Sequence, residues 1–267
     1  ILSLYIIHPM SATAYATILQ SAVLRTRMKH RPAPSLFYFP GLSTDPVFHP
    51  DRFACAKLLE DNYKVILDEY EHLRSLKLGS DYSTREEHKL HQGKWDWNSY
   101  IIKGKRQADF AVHCPKTVEI IESIDSPSRL MSDTPFSFAF FSTLYPDSSI
   151  AAHHGPCNLR IRCHLPLKVP SSSNMDNDNG SLGARNDDPT ASGSTLPCGM
   201  RVGDVEVEWK VGKPVFFDDC YQHSVWNHTP EDRVLLLFDM WHPELHPDEI
   251  EAIKHMFRDA KEKGWLT

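Results

Sequence analysis

Between residues 136 and 241 the chain breaks into short extended runs separated by turn residues, and this texture restricts the fold more than any other feature. Candidate strands occupy 136–145, 157–167, 205–211, 214–218, 223–227 and 233–241. Short strands with turns between them, and no helices interleaved, predict a β-sandwich or barrel rather than a parallel sheet of βαβ units. At 267 residues the chain can bury a full core in one large domain.

Helical signals flank this region. From 51 to 76 apolar residues (Phe53, Leu58, Leu59, Tyr63, Val65, Ile66, Tyr70) recur at near-helical spacing, as in a helix packed on a sheet. Residues 80–94 are polar and read as loop, 95–102 (Trp95-Asp-Trp-Asn-Ser-Tyr-Ile-Ile) as a strand and 116–124 as a short helix. His246-Pro247-Asp248-Glu249 opens a last helix, with Pro at its first position and acids in its first turn. Between Pro170 and Pro197 the run of Ser, Asn, Asp and Gly is too poor in apolar residues to order itself, so a disordered insertion is expected there.

A net charge of −6 and the absence of a long basic run exclude nucleic acid as the main partner. Six cysteines without a CxxC pair argue against a structural zinc and leave free thiols or a few disulfides open. Residues 1–24 hold no Asp, Glu, Lys or Arg, and Arg25, Arg27, Lys29 and Arg31 follow. That step resembles the edge of a membrane anchor or uncleaved signal, with a surface-packed helix or truncated linker as the alternative. An anchor would place the protein on a membrane or in the secretory lumen; a cytoplasmic location is compatible with the alternative.

Fifteen histidines raise the expectation of a metal site. Two stretches concentrate it. In the first, His153-His154-Gly155-Pro156 precedes Asn158, Arg160, Arg162 and His164, whose alternation puts four polar side chains on one strand face. That face looks away from a core and toward an anionic ligand. In the second, Asp218-Asp219 leads to His223 and Trp226. Redox-active iron is commonly held by two histidines and a carboxylate, the first pair spaced His-x-Asp/Glu. His153-His154-Gly155 has the spacing without the carboxylate, and His223 supplies a distant second histidine. Arg233 then opens the apolar run Val-Leu-Leu-Leu-Phe, where a cation is costly to bury unless a carboxylate meets it. Asp218 and Asp219 read as structural or as metal ligands, and His242 as structural.

These pieces resemble the aspartyl/asparaginyl β-hydroxylase family of non-haem iron(II) and 2-oxoglutarate-dependent oxygenases. The resemblance rests on Ser142 with Pro146, on His153-x-Gly155-Pro156 with Asn158, Arg160, Arg162 and His164, on Phe217-Asp218-Asp219 with His223-x-Val-Trp226, and on Arg233 with Asp239-x-Trp241-His242-Pro243. It is clear over about 136–245 and weaker over 37–135, where Tyr38-Phe-Pro40-Gly41 and Trp95 are similar to the family. Members use two histidines without the carboxylate, which accounts for Gly155.

The resemblance implies a mainly β fold with flanking helices, a double-stranded β-helix (jelly-roll, cupin-like) core, as an oxygenase domain over 32–267 after an N-terminal segment 1–31. It implies that His153 and His223 ligate iron(II), that Arg233 and Ser142 meet the distal carboxylate of 2-oxoglutarate, and that His164 reaches the carboxylate beside the keto group. Arg162 and Arg160 fall to the substrate, and oxygen is the second cosubstrate. The implied reaction is hydroxylation of an unactivated carbon, above all the β-carbon of Asp or Asn in a peptide or protein substrate; a lipid or free amino acid is the alternative substrate. A catalytically weak member that only binds an acidic peptide or 2-oxoglutarate is the rival of another class, and a zinc hydrolase is a third.

Overall fold

The computed structural model describes residues 33–82, 90–125, 129–170 and 190–264. Its strands are β1 (Val47–Phe48), β2 (His91–Gln92), β3 (Trp95–Ile102), β4 (Lys105–Arg106), β5 (Ala139–Leu144), β6 (Ser148–His153), β7 (Arg160–Lys168), β8 (Cys198–Val202), β9 (Val205–Val207), β10 (Val215–Phe217), β11 (His223–Asn227) and β12 (Arg233–Trp241). The helices are α1 (Cys55–Ser75), α2 (Ala108–His113), α3 (Pro115–Glu122) and α4 (Pro247–Glu262).

The strands form two antiparallel sheets, seven-stranded in the order β1-β10-β7-β12-β5-β3-β4 and five-stranded in the order β2-β6-β11-β8-β9. Chain-distant strands alternate as neighbours, as a double-stranded β-helix requires: β12 pairs with both β5 and β7, and β11 with both β6 and β8. All nine residues of β12 are buried, because the strand is central and covered on both faces. Val234, Leu236, Phe238 and Met240 turn outward onto a core shared with Leu59, Ile66, Tyr70 and Leu73 of α1. The alternate residues turn inward, where Leu235 packs with Ile150, Met200 and Val225 of the smaller sheet.

α1 is the supporting helix that the periodicity predicts, although Val65 is 40% exposed and the packing face is Leu59, Ile66, Tyr70 and Leu73. α4 begins at Pro247 in a capping box, His246 Nδ1 accepting from Asp248 N–H and Glu249 accepting from His246 N–H. Its Ile250, Ile253 and Phe257 cover a second cluster with Phe37, Phe39 and Trp241.

Three features differ from the sequence expectations. β6 and β8 read as no strand, since Ser-Ser-Ile-Ala-Ala-His and Cys-Gly-Met-Arg-Val lack a β-branched or aromatic alternation. They are extended because β11 pairs with both of them. The polar face of β7 points inside, between the sheets: Asn158, Arg160 and His164 are 4%, 3% and 5% exposed. Asn158 is spent on the backbone of Phe39, accepting from its N–H and donating to its carbonyl. Of the expected insertion 170–197, residues 171–189 lie outside the described residues; 190–197 pack on the small sheet, with Ser224 Oγ donating to Thr190 O and Trp226 Nε1 to Leu196 O.

The expected anchor segment also falls outside the described residues, among which no helix is long and apolar enough to cross a membrane. All six cysteines are buried free thiols.

Candidate active site

His153 ends β6 and His223 starts β11, and the two strands set them directly opposite one another across an antiparallel pair. Their ring centroids are 4.0 Å apart. Each imidazole is held by a carbonyl two residues earlier in the chain: His153 Nδ1 lies 2.7 Å from Ala151 O and His223 Nδ1 3.0 Å from Tyr221 O. A ring nitrogen facing a carbonyl oxygen carries the proton, which leaves Nε2 of both rings as a lone-pair donor. Burial depresses both imidazole pKa values, most strongly that of His223, so both stand neutral near pH 7. Two neutral, pre-oriented imidazoles fit a borderline-soft divalent metal.

The position where a third ligand would branch is occupied. A Cβ on Gly155 would fall onto the carboxylate of Asp219, and Gly155 N–H donates to Asp219 O at 2.6 Å. Asp219 is fully buried and cannot swing aside, because Arg160 (Nε and Nη2) and Arg162 (Nη1, 3.5 Å) hold it. Burial works against its charged form, but the two guanidinium groups outweigh burial and keep the carboxyl below the usual range. Asp239 is the other anion of the group. It takes Arg162 Nε at 2.8 Å and Nη2 at 3.2 Å, Arg160 Nη1 at 3.1 Å and the Phe138 N–H at 3.0 Å. Two arginines and two aspartates thus neutralise one another between the sheets, across β7, β12 and the loop before β11.

This quartet divides the two arginines expected at the substrate. Arg160 has Asp219, Asp239 and the Phe136 carbonyl as partners and is 3% exposed, so its role in the structure is to hold the loop of Asp219. Arg162 keeps its Nη1 without a hydrogen bond and has a 14% exposed side chain. Gly155→Asp, which would write the missing carboxylate into the sequence, is expected to lower stability by about 1–3 kcal/mol through overpacking. Thermal unfolding and metal titration check this, with no gain in metal affinity expected.

Arg233 sits in the opposite condition. It is 2% exposed, with no carboxylate partner among the described residues; Nη1 donates to Ser142 Oγ at 3.2 Å, and Nε has no partner. Burial without a counter-ion lowers its pKa to about 10, so it remains a cation. Ser142 Oγ also accepts from Trp95 Nε1 at 2.9 Å, so with two donors on its oxygen its own proton is free for a further acceptor. His164 is likewise buried with Nδ1 unpartnered, and burial, then Arg233 and Arg162, pull its pKa well down.

Ser142, His153, Arg160, Arg162, His164, His223 and Arg233 all line one cavity of about 270 Å³. One wall is aromatic: Trp97 stacks on Phe140 at 4.0 Å and meets Trp95 at 5.0 Å and Tyr82 at 4.9 Å. Of these residues only Trp95 stood out in the sequence; the i, i+2 pair Trp95 and Trp97 on a strand was the available signal. His154 has its Nδ1 2.9 Å from Cys220 O, and His242 is used by the backbone of Ser43 and Glu244. Asp218, Asp219 and Cys220 lie close together, but Asp219 is committed to the arginines and Asp218 accepts from Cys220 N–H.

The family described as Aspartyl/Asparaginyl beta-hydroxylase matches residues 60–243. Mouse "Aspartate beta-hydroxylase domain-containing protein 2" is 30% identical over 235 residues, covering 85% of this chain and 60% of that protein. Human "Aspartyl/asparaginyl beta-hydroxylase" is 26% identical over 228 residues, 82% of this chain and 26% of that protein. The "Ornithine lipid ester-linked acyl 2-hydroxylase" of Rhizobium tropici is 28% identical over 211 residues, 77% of this chain and 64% of that protein. The chain spans less than two thirds of the length of each of these curated relatives. By the match over most of its length, it belongs to the aspartyl/asparaginyl β-hydroxylase family.

Proposed function

We propose that this chain is an iron(II)- and 2-oxoglutarate-dependent dioxygenase that hydroxylates an unactivated carbon, most directly the β-carbon of a peptidyl Asp or Asn. One observation carries the reading. A buried arginine with no counter-ion among the described residues faces the same cavity as two neutral histidines whose Nδ1 atoms are engaged and whose Nε2 atoms are left for a metal. A dicarboxylate that chelates a metal at one end would satisfy both at once.

When bound, iron(II) with 2-oxoglutarate and oxygen supplies the oxidising power for C–H hydroxylation, leaving succinate and carbon dioxide. The protein's part is placement. His153 and His223 offer nitrogen ligands from opposed strands, which fixes their separation through the backbone. Arg233 pairs with the distal carboxylate, and the Ser142 hydroxyl, already accepting twice, donates to it. His164 reaches the carboxylate beside the keto group. Arg162, more exposed than Arg160 and with its Nη1 only 3.5 Å from Asp219, offers that group to an acidic or amide side chain, while Arg160 keeps the loop of Asp219 in place. Gly155 brings no carboxylate beside the two histidines, so the protein would place less negative charge on the metal.

The substrate assignment rests on family membership and on the partly exposed guanidinium of Arg162 in the cavity wall. An acyl chain, as the Rhizobium relative's name has it, is the other substrate to try. The test is direct: protein loaded with iron(II) under argon should consume 2-oxoglutarate and form succinate once oxygen is admitted. Mass spectrometry of candidate peptides should then find the gain of one oxygen atom. Binding of 2-oxoglutarate with no succinate would leave only a binding module, and turnover without 2-oxoglutarate or oxygen would point to a hydrolase.

A further inference from the structure

Arg233 is placed in the core without an acid, and what lies against it instead is Trp209. The guanidinium carbon is 5.0 Å from the centroid of the Trp209 ring, and the His164 ring is 6.0 Å away on the same indole. Trp209 therefore touches both residues assigned to the two ends of the cosubstrate. It is 2% exposed, two residues beyond the end of β9, in the core between the sheets with Leu144, Cys198, Phe217 and Leu235.

The indole N–H has no hydrogen-bond partner, although it is buried. An unpaired buried donor destabilises, and a phenyl ring would fill an apolar site without one. The compensating property of indole is its face, the best of the aromatic surfaces for a cation and more effective when water is excluded. On the guanidinium itself, Nη1 is taken by Ser142, whereas Nε and Nη2 make no hydrogen bond among the described residues. The ring face and Ser142 together leave one edge of the fork, Nε and Nη2, without a hydrogen-bond partner among the described residues, and a carboxylate is the acceptor that matches it.

We propose that Trp209 is a positioning residue of the cosubstrate pocket, its indole face standing in for a counter-ion beneath Arg233 and holding the unpaired edge of the guanidinium ready for the distal carboxylate. This rests on the reading in which Arg233 meets that carboxylate. Trp209 acts on the affinity for a dicarboxylate and not on metal binding.

The experiment uses the full chain loaded with manganese(II) under argon, titrated with 2-oxoglutarate and with 2-oxopentanoate, which keeps the chelating end and lacks the distal carboxylate. Trp209→Leu should weaken 2-oxoglutarate about tenfold, the size of a desolvated cation–π contact, and leave 2-oxopentanoate within about twofold. Trp209→Phe guards against a folding defect. It keeps a ring and deletes the orphan N–H, so its melting temperature should equal or exceed that of the parent while 2-oxoglutarate binds about two- to threefold more weakly. In an Arg233→Gln background neither substitution should weaken 2-oxoglutarate further. Equal losses for both ligands, or losses that persist in that background, would overturn the role of Trp209. If Arg233→Gln alone leaves 2-oxoglutarate binding intact, the reading of Arg233 fails first, and the two failures are told apart.

Discussion

Replacing Arg233 by Met should weaken 2-oxoglutarate binding by roughly 2–5 kcal/mol while leaving the cosubstrate-free protein as stable as before or more so. The two effects have one cause. Arg233 is buried with no carboxylate beside it among the described residues, so the free protein bears the desolvation of a cation whose pKa has fallen to about 10. A methionine of similar length removes that burden, and with it the partner that repays the charge once a dicarboxylate arrives. Calorimetric titration of metal-loaded protein and a thermal melt without cosubstrate measure the two halves. A large loss of stability in the free protein would mean that Arg233 is a structural residue, and the reading of the pocket would have to be withdrawn.

Substitution of His153 or His223 by Ala should abolish iron(II) binding at micromolar metal and all succinate formation, with the fold retained. A single imidazole cannot chelate, and the register of β6 on β11 places the two rings opposite one another as a pair. Each ring is already oriented by a carbonyl two residues earlier in the chain, so little ordering remains for the metal to do. Protons should compete in a defined window. The folded pKa of both imidazoles lies below the unfolded value of 6.5, so below about pH 6.5 the unfolded chain binds more protons and stability falls as pH falls. Above that pH this contribution is constant. Metal deepens the dependence, since it binds only the neutral rings. Unfolding midpoints from pH 5 to 8, with and without metal, give the slope. A stability that rises on acidification would contradict the neutral, metal-ready state of the pair.

The sequence made the principal side chains of the site legible because they lie at fixed spacings within single strands or at strand ends. Ser142, His153, Arg160, Arg162, His164, His223 and Arg233 line one cavity. α1 and α4 were legible through helical periodicity and capping, and β3, β11 and β12 through β-branched, aromatic and apolar runs. Less visible was anything that depends on a neighbour from a distant part of the chain. β6 carries a candidate metal ligand, yet its own residues have no strand pattern; pairing with β11 makes it a strand.

By itself the sequence determined the family, the sandwich-like β texture and the identity of the histidines and the lone arginine, since each is written in local spacing and residue type. Tertiary structure alone decided which charges are already neutralised. Arg160 and Arg162 look alike as alternate residues of one strand, but Asp219 and Asp239, 59 and 77 to 79 positions away, enclose the first and hold the second less closely, leaving it 14% exposed. It also decided that the polar face of β7 is interior, that Asp219 fills the space beside Gly155, and that Trp209 lies under Arg233. Coulombic pairing and desolvation depend on distance through space, and local periodicity does not carry that information.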